Sequence, residues 1–147
     1  MSDDPERSFV DTNVFVYAYD RTAGKKRDQA RALLVGLWHS GKGCLSLQVL
    51  QELFVAMTRK VPNPLPPARA FRLVSDLSQW RLHAPARDDL LAAIELHTKH
   101  RISLWDAMIV QSASRLGCGT LWTEDLGAGQ SYAGVTIRDP FVKEVNR

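Results

Sequence analysis

Four acidic residues stand where a strand is predicted to end or a helix to begin. They are Asp11, Glu52, Asp106 and Asp125. Carboxylates are hard oxygen ligands of the kind that Mg²⁺ and Mn²⁺ prefer. Two carboxylates about 4 Å apart repel each other by about 4 kcal/mol at an effective dielectric near 20. If the fold gathers these side chains, a cation or raised pKa values must relieve the repulsion, so the pattern predicts a divalent-metal site.

The elements that must position these acids alternate between strand and helix. Apolar runs predict five strands, at Arg7–Val16, Gly43–Ser46, Trp80–Ala84, Cys118–Thr123 and Val135–Arg138. Apolar residues at helical spacing predict five helices, at Arg27–Ser40, Val49–Met57, Pro67–Leu77, Arg87–His100 and Ser103–Gly117. This alternation predicts a mostly parallel sheet with helices on both faces. The carboxyl ends of parallel strands form the binding edge of such sheets, and all four acids are predicted to face that edge.

Taken singly, three of the acids have ordinary structural explanations. Asp106 would stabilise a helix N-terminus, Asp125 would be a turn residue, and Glu52 would be a solvated helix residue. Asp11 is harder to explain, because an acid within a buried apolar strand is costly unless it is paired or metal-bound. The four together, each at the same edge, favour a functional site.

Composition restricts the class of protein. The 147 residues are enough for one domain, predicted to span residues 1–147 with residues 1–7 as an N-terminal tail. Neither a signal peptide nor an apolar run long enough to span a membrane is recognisable, so we expect a cytoplasmic protein. Cys44 and Cys118 lie in apolar runs and are predicted to be reduced core thiols. A net charge of +3 is compatible with a nucleic-acid partner.

The order and spacing of four short motifs resemble those of a known family. The motifs are Val10-Asp11-Thr12-Asn13, Gln51-Glu52-Leu53, Trp105-Asp106-Ala107 and Thr123-Glu124-Asp125-Leu126. They are similar to those of PIN-domain ribonucleases, particularly the VapC toxins of bacterial toxin–antitoxin pairs, over residues 8–141. The resemblance implies an α/β fold, a PIN-like three-layer αβα sandwich around a central, mostly parallel sheet of about five strands.

The resemblance also implies a site and a function. The catalytic and metal-binding tetrad would be Asp11, Glu52, Asp106 and Asp125, with Mg²⁺ or Mn²⁺ as cofactor. Asp11 would be the shared ligand, Asp106 and Asp125 would hold one ion, and Glu52 would hold a second ion or orient water. Asn13 and Thr123 would hydrogen-bond the carboxylates or waters as a second shell. Two such ions can relieve phosphate charge and activate water, so RNA hydrolysis needs no His or Lys base.

Three partners follow from the resemblance: an RNA substrate, a small cognate antitoxin and a second copy of the chain. The protein would then be an endoribonuclease and the toxin of a type II pair. The densest basic cluster is expected to hold RNA phosphates, although a solvated helix start would explain it equally well. It consists of Lys25, Lys26 and Arg27.

Several other residues have more than one interpretation. His97 and His100 are three positions apart on a helix and could bind zinc, but cations at a helix end are the better explanation. Trp105 adjoins Asp106 and could stack on a base, whereas Trp38 and Trp122 lie in apolar patterns and are predicted to be core.

Two other functions remain open. A phosphoaspartyl phosphatase or receiver domain also carries an acid after an apolar strand, but the phosphatases would want a second acid where this chain has Asn13. A receiver would want its acceptor after the third strand, where Ala84, Pro85 and Ala86 offer none. A catalytically silent PIN-fold interaction protein is the other alternative, and the intact tetrad argues against it.

Overall fold

A six-stranded β-sheet organises the chain in the computed structural model, which describes residues 4–142, with side chains from residue 7 onward. Its strands are β1 (Asp4–Val10), β2 (Gly43–Ser46), β3 (Arg81–His83), β4 (Cys118–Trp122), β5 (Ser131–Tyr132) and β6 (Val135–Arg138). They lie in the order β3-β2-β1-β4-β6-β5. Neighbours are parallel except for β5 and β6, which are antiparallel. The predicted α/β class is confirmed, with one strand more than expected.

Helices cover both faces of this sheet. They are α1 (Thr12–Tyr19), α2 (Lys25–Ser40), α3 (Leu47–Val55), α4 (Pro67–Leu77), α5 (Arg87–His100) and α6 (Leu104–Arg115). A π-helical turn, Ala56–Lys60, continues α3. Helix α1 packs against α2 and α3, α3 packs against α4, and α5 packs against α6. No helix in the described part of the chain is long and apolar enough to cross a membrane.

Strand β1 occupies the centre of the sheet and carries its core. Phe9 pairs with Cys44 on one side and with Leu121 on the other, and all three are fully buried. Burying an aromatic or aliphatic side chain of this size contributes about 1.5–3 kcal/mol. Cys44 and Cys118 are both buried and form no disulfide, as predicted. The core therefore fixes β1 and β4 side by side, which sets the position of whatever follows them.

The predicted first strand is wrong in its second half. Residues 7–16 were expected to be extended, but β1 ends at Val10 and α1 begins at Thr12. Val14, Phe15 and Ala18 are buried on one face of α1, at helical spacing. This segment is rich in β-branched and aromatic residues, whose strand preference is overridden by burial in the hydrophobic core. Asp11 is consequently the residue before a helix and not a mid-strand acid.

Three further expectations need correction. The predicted tail of residues 1–7 is too long because residues 4–7 belong to β1, while residues 1–3 lie outside the described residues. Strand β5 was missed because it is only two residues long and its turn contains Ala133 at φ +50°, where Asn or Gly is the usual signal. Trp38 is 51% exposed instead of core, with its ring edge-to-face against Trp80. Trp122 is half-buried, beneath Arg138.

Candidate metal centre

The centre of the site is the junction between the ends of β1 and β4. Asp11 and Thr123 each directly follow one of these strands, and the Asp11 backbone N–H donates to the Trp122 carbonyl at 3.0 Å. The Thr123 hydroxyl donates to Asp11 Oδ2 at 2.9 Å. The Thr12 backbone N–H donates to Asp11 Oδ1 at 2.7 Å. Both carboxylate oxygens of the buried Asp11 are thus held by hydrogen bonds, so the group has a fixed orientation.

Asn13 links this junction to the loop after β4. It lies in the first turn of α1, and its Nδ2 donates to Asp125 Oδ2 at 2.9 Å and to Thr123 Oγ1 at 3.1 Å. The Asn13 Oδ1 atom is buried and has no hydrogen-bond partner among the described residues. A buried acceptor is costly when it is unsatisfied, which points to a water or another donor at this position.

Asp106 belongs to a different element and lies in the first turn of α6. The Ser103 hydroxyl accepts a hydrogen bond from the Asp106 N–H at 3.0 Å, so Ser103 caps the helix as predicted. The cap sets the first turn of α6 and hence the direction of the Asp106 side chain. One carboxylate oxygen from each of Asp11, Asp106 and Asp125 lies within 4.8 Å of the others. No other group of three or more His, Cys, Asp or Glu side chains within residues 7–142 meets this criterion.

Glu52 lines the same cavity but stands apart from the three aspartates. It lies on α3, and its Oε1 accepts a hydrogen bond from the Thr12 hydroxyl at 2.8 Å. Its charge reaches Asp11, where it raises the pKa. Thr12 was missed by the sequence interpretation, since a hydroxyl beside an acid is too common to be a signal by itself.

The electrostatics of the cluster favour a bound cation. Burial is the largest cause that raises the pKa of Asp11, to about 7, against the lowering effect of its two hydrogen bonds. The negative charges of Glu52 and Asp125 raise it further. Burial also raises the pKa of Asp106, ahead of a lowering hydrogen bond with Ser103 and a raising contribution from Asp125. Each of these carboxylates is costly to ionise without a counter-charge.

The cavity in front of the cluster is large enough for a polymer segment. Its volume is about 640 Å³. Besides the four acids, its walls include Gln48, Gln51, Val55, Trp105 and Pro62. Trp105 is 67% exposed at this mouth, and its backbone carbonyl accepts from the Gln48 side chain at 3.2 Å. The indole face is therefore available to a ligand, which agrees with the sequence-based interpretation that Trp105 could stack on a base.

The residues present fit a divalent ion. Mg²⁺ holds oxygen ligands about 2.0–2.1 Å away, so small side-chain adjustments would bring the three aspartate oxygens around one cation. The ligand set contains only hard oxygen donors. The unpartnered Asn13 Oδ1 could accept from a water that such an ion retains. We conclude that the arrangement can hold a hard cation and present it to the cavity.

The predicted RNA-binding cluster is dispersed by the fold. Lys26 Nζ lies 2.9 Å from Glu124 Oε2 and 4.7 Å from the centre of the Tyr17 ring. Tyr17 itself donates to Glu124 Oε1 at 2.7 Å. Lys25 is exposed, and Arg27 lines a second cavity, which none of the four predicted site acids lines. RNA binding by these three residues remains a prediction, although they do not form one patch.

Two histidine clusters have structural explanations. His97 Nδ1 is 2.6 Å from the Ile102 carbonyl oxygen, and the His100 ring packs edge-to-face on Tyr132. No group of three or more His, Cys, Asp or Glu ligands within residues 7–142 includes either histidine. The Ser46 and Ser103 side chains cap helices, as predicted.

His83 lies in an arrangement that looks like a catalytic triad. His83 Nδ1 is 2.8 Å from Ser112 Oγ, and its Nε2 is 3.3 Å from Asp89 Oδ2. Ser112 is only 1% exposed, so no substrate reaches it. Asp89 accepts hydrogen bonds from the Ala86 N–H and the Gln111 side chain. The network joins β3, α5 and α6 and serves the fold.

Comparison with known proteins identifies the family. The PIN domain family matches residues 8–130. The chain therefore belongs to the PIN domain family, as its motifs predicted. No curated protein is similar enough in sequence to count as a relative.

Solved structures share the fold. A toxin–antitoxin complex from Klebsiella pneumoniae has a TM-score of 0.67 at 19% identity, covering 91% of this chain and 98% of that one. VapBC2 from Rickettsia felis, bound to a promoter DNA fragment, has 0.64 at 20%, covering 90% and 97%. Mycobacterium tuberculosis VapC20, described as a Sarcin-Ricin loop cleaving toxin, has 0.58 at 20%, covering 78% and 86%. At identities this low, the structural likeness establishes that the chain shares its fold with VapC-type toxins.

Proposed function

We propose that this PIN domain is a divalent-metal-dependent endoribonuclease. The observation that carries the proposal is the gathering of Asp11, Asp106 and Asp125 within 4.8 Å at the mouth of a cavity. These residues come from three separate parts of the chain, and their mutual repulsion has no structural benefit that would explain it. Mg²⁺ or Mn²⁺ bound there would neutralise phosphate charge and activate water for hydrolysis.

Each side chain has a distinct role in this proposal. Asp11, Asp106 and Asp125 hold the ion. Glu52, which lies at the edge of the cluster and is tied to Thr12, holds a second ion or orients the attacking water. Thr123 and Asn13 keep Asp11 and Asp125 in position through their hydrogen bonds.

A phosphoaspartyl enzyme would use Asp11 as a nucleophile instead. Phosphatases of this kind would want a second acid at position 13, where this chain has Asn13, and the Asn13 amide donates its hydrogen bonds to Asp125 and Thr123. The residue at this position therefore favours the metal-dependent reaction over that alternative.

The toxin role and the partners belong to the same proposal. Several structural neighbours are toxins in complex with antitoxins, which supports a small antitoxin as the partner of this chain. A second copy is supported by an exposed apolar face on α5 formed by Leu90, Leu91 and Ile94. Two buried cysteines without a disulfide favour a reducing compartment, and hence the cytoplasm.

The test is cleavage of single-stranded RNA by purified protein with Mg²⁺, with Mn²⁺ or with EDTA. We expect cleavage with either ion and none in EDTA. Asp106→Asn should abolish cleavage while the circular dichroism spectrum stays unchanged. Asp88→Asn is a matched control, because Asp88 is an 87% exposed side chain on α5, and it should retain full activity. Metal binding without cleavage of any RNA would instead support the silent interaction protein.

A further inference from the structure

A second cavity lies beside the metal centre, and five of its ten lining residues are arginines. It has a volume of about 620 Å³ between the C-terminal end of α1, the start of α2 and helix α4. We call it the arginine cleft, defined by Arg21, Arg27, Arg31, Arg69 and Arg72. Asp76 is the only acid among its lining residues. Five arginines and one acid line the cleft, so it has a strong excess of positive charge.

These arginines are not neutralised by the described part of the chain. None of the five lies within 4.0 Å of a carboxylate oxygen there. Arg31 Nε donates to the Ala18 carbonyl at 2.8 Å, which fixes its stem, and its guanidinium lies 5.9 Å from the Tyr19 ring centre. Arg27 Nε is buried and has no hydrogen-bond partner within residues 7–142. A buried charged donor without an acceptor is costly, so an anionic ligand would stabilise this arrangement.

The type of cation indicates the type of anion. A guanidinium stays protonated at any ordinary pH and presents a planar fork of N–H donors that matches the oxygens of a phosphate. Tyr19, Leu65 and Leu73 add apolar surface to the wall. Several arginines around an elongated cleft with an aromatic wall suit a phosphate chain that carries bases.

The position of the cleft connects it to the proposed reaction. Asp20 lines the metal cavity, whereas its chain neighbours Tyr19 and Arg21 line the arginine cleft. In the segment before α4, Pro62 lines the metal cavity and Leu65 lines the arginine cleft. Consecutive Cα atoms are about 3.8 Å apart, so the two cavities share a rim. A strand that leaves the metal centre can enter the cleft directly.

We propose that the arginine cleft binds backbone phosphates of the RNA strand next to the phosphodiester that is cleaved. This inference rests on the proposed ribonuclease function. Phosphate contacts of this kind set the register of the strand without reading its sequence. They also solve an electrostatic problem, because the carboxylates at the metal centre repel the same strand and cannot supply its binding energy.

The experiment compares two double variants of equal charge. Arg69→Gln with Arg72→Gln removes two exposed arginines that stand three positions apart on α4. Arg87→Gln with Lys99→Gln removes two positive charges from α5, outside the residues that line the cleft. Affinity for a fluorescent single-stranded RNA is measured by anisotropy over a range of KCl concentrations, in EDTA to prevent cleavage. Each phosphate contact that is lost should lower the salt slope by about 0.7, so we expect a decrease of about 1.4 for the α4 pair. We expect no such decrease for the α5 pair.

A further variant separates charge from folding. Arg69→Lys with Arg72→Lys keeps both charges and should retain most of the salt slope of the unmodified protein, with weaker binding because the planar fork is lost. A wild-type slope in the α4 Gln pair, in a protein that still cleaves RNA, would overturn the cleft assignment and leave the proposed function intact. RNA binding that depends on the cleft, without any cleavage in Mg²⁺, would overturn the function and retain the cleft.

A protein ligand would give a different result. If the α4 Gln pair binds RNA normally but no longer binds the small antitoxin proposed above, the cleft receives an acidic protein segment. The RNA assignment would then be wrong.

Discussion

Thr123 donates a hydrogen bond from its hydroxyl to Asp11 Oδ2 at 2.9 Å, although 112 residues separate the two in the chain. The same Oγ1 atom accepts from Asn13 Nδ2 and from the Asp125 backbone N–H. One hydroxyl thus connects the end of β1, the first turn of α1 and the loop after β4. Because Thr123 is 1% exposed, water cannot readily replace it. This one oxygen therefore contributes to the orientation of two proposed metal ligands.

Two replacements of Thr123 should distinguish the contribution of its hydroxyl from that of its methyl group. Thr123→Ala leaves Asp11 Oδ2 without this partner, and we expect the free energy of unfolding to fall by about 1–3 kcal/mol. Thr123→Ser keeps the hydroxyl and should recover most of that loss. Urea unfolding in EDTA measures both. Mn²⁺ affinity, measured by calorimetry, should weaken by about 10–100-fold in the Ala variant only. Equal losses in both variants would mean that packing of the methyl group, and not the hydrogen bond, is what matters.

The raised pKa of Asp11 predicts how the metal-free protein responds to pH. Burial raises this pKa from 3.8 to about 7, so between these values the folded protein holds a proton that the unfolded chain releases. The stabilisation is complete below about pH 4 and is lost as the pH rises through 7. Its size is up to about 4 kcal/mol, at about 1.36 kcal/mol per pKa unit.

Asp11→Asn isolates this contribution. The free energy of unfolding of the unmodified protein, minus that of the variant, should decrease between pH 4 and 8 when both are measured in EDTA. Taking the difference removes the contributions of the other titrating groups. A difference that is constant with pH would show that Asp11 is ionised in the folded protein throughout this range.

The sequence predicted the fold class and the acidic residues because both depend on local patterns. Apolar spacing located α2, α5 and β6 to within two residues, and the Ser103 cap located the start of α6. Four acids at element boundaries were sufficient to suggest a common edge. That edge exists because β1 and β4 are adjacent, which the alternation of strands and helices allows but does not specify.

Contacts between distant residues could not be predicted. Helix α1 has the composition of a strand, and burial of Val14 and Phe15 in the core is what favours the helix. The arginine cleft assembles side chains from α1–α2 and α4, whose relative position depends on the packing of α3. In the sequence, Arg27 directly follows Lys25 and Lys26, whereas in the fold it lines the same cleft as Arg69 and Arg72. Proximity along a helix did not correspond to proximity on the surface.

A divalent ion should stabilise the folded protein through the carboxylate cluster. A ligand at 100 times its dissociation constant adds about 2.7 kcal/mol to the free energy of unfolding. We expect Mn²⁺ to raise the melting temperature of the unmodified protein and of Asp88→Asn. It should have little effect on Asp106→Asn or Asp125→Asn, which each lose a ligand. The readout is differential scanning fluorimetry at pH 8, where Asp11 is ionised. An equal shift in all four proteins would place the ion elsewhere.

Lys26 provides the last prediction, because its surroundings distinguish a residue of the fold from a residue that binds RNA. Its ammonium group is paired with Glu124 at 2.9 Å and lies near the rings of Tyr17 and Phe141. A charge already engaged in this way has less to gain from an RNA phosphate. We therefore expect Lys26→Met to leave the salt slope of RNA binding unchanged. Its cost in stability should be below about 1 kcal/mol, because the ion pair is partly exposed to solvent.

Lys25→Met, at the exposed neighbouring position, is the matched control for the loss of one charge. A slope that falls by about 0.7 in Lys26→Met but not in Lys25→Met would show that RNA displaces Glu124 from the ammonium group. The original grouping of Lys26 with the RNA-binding residues would then be correct.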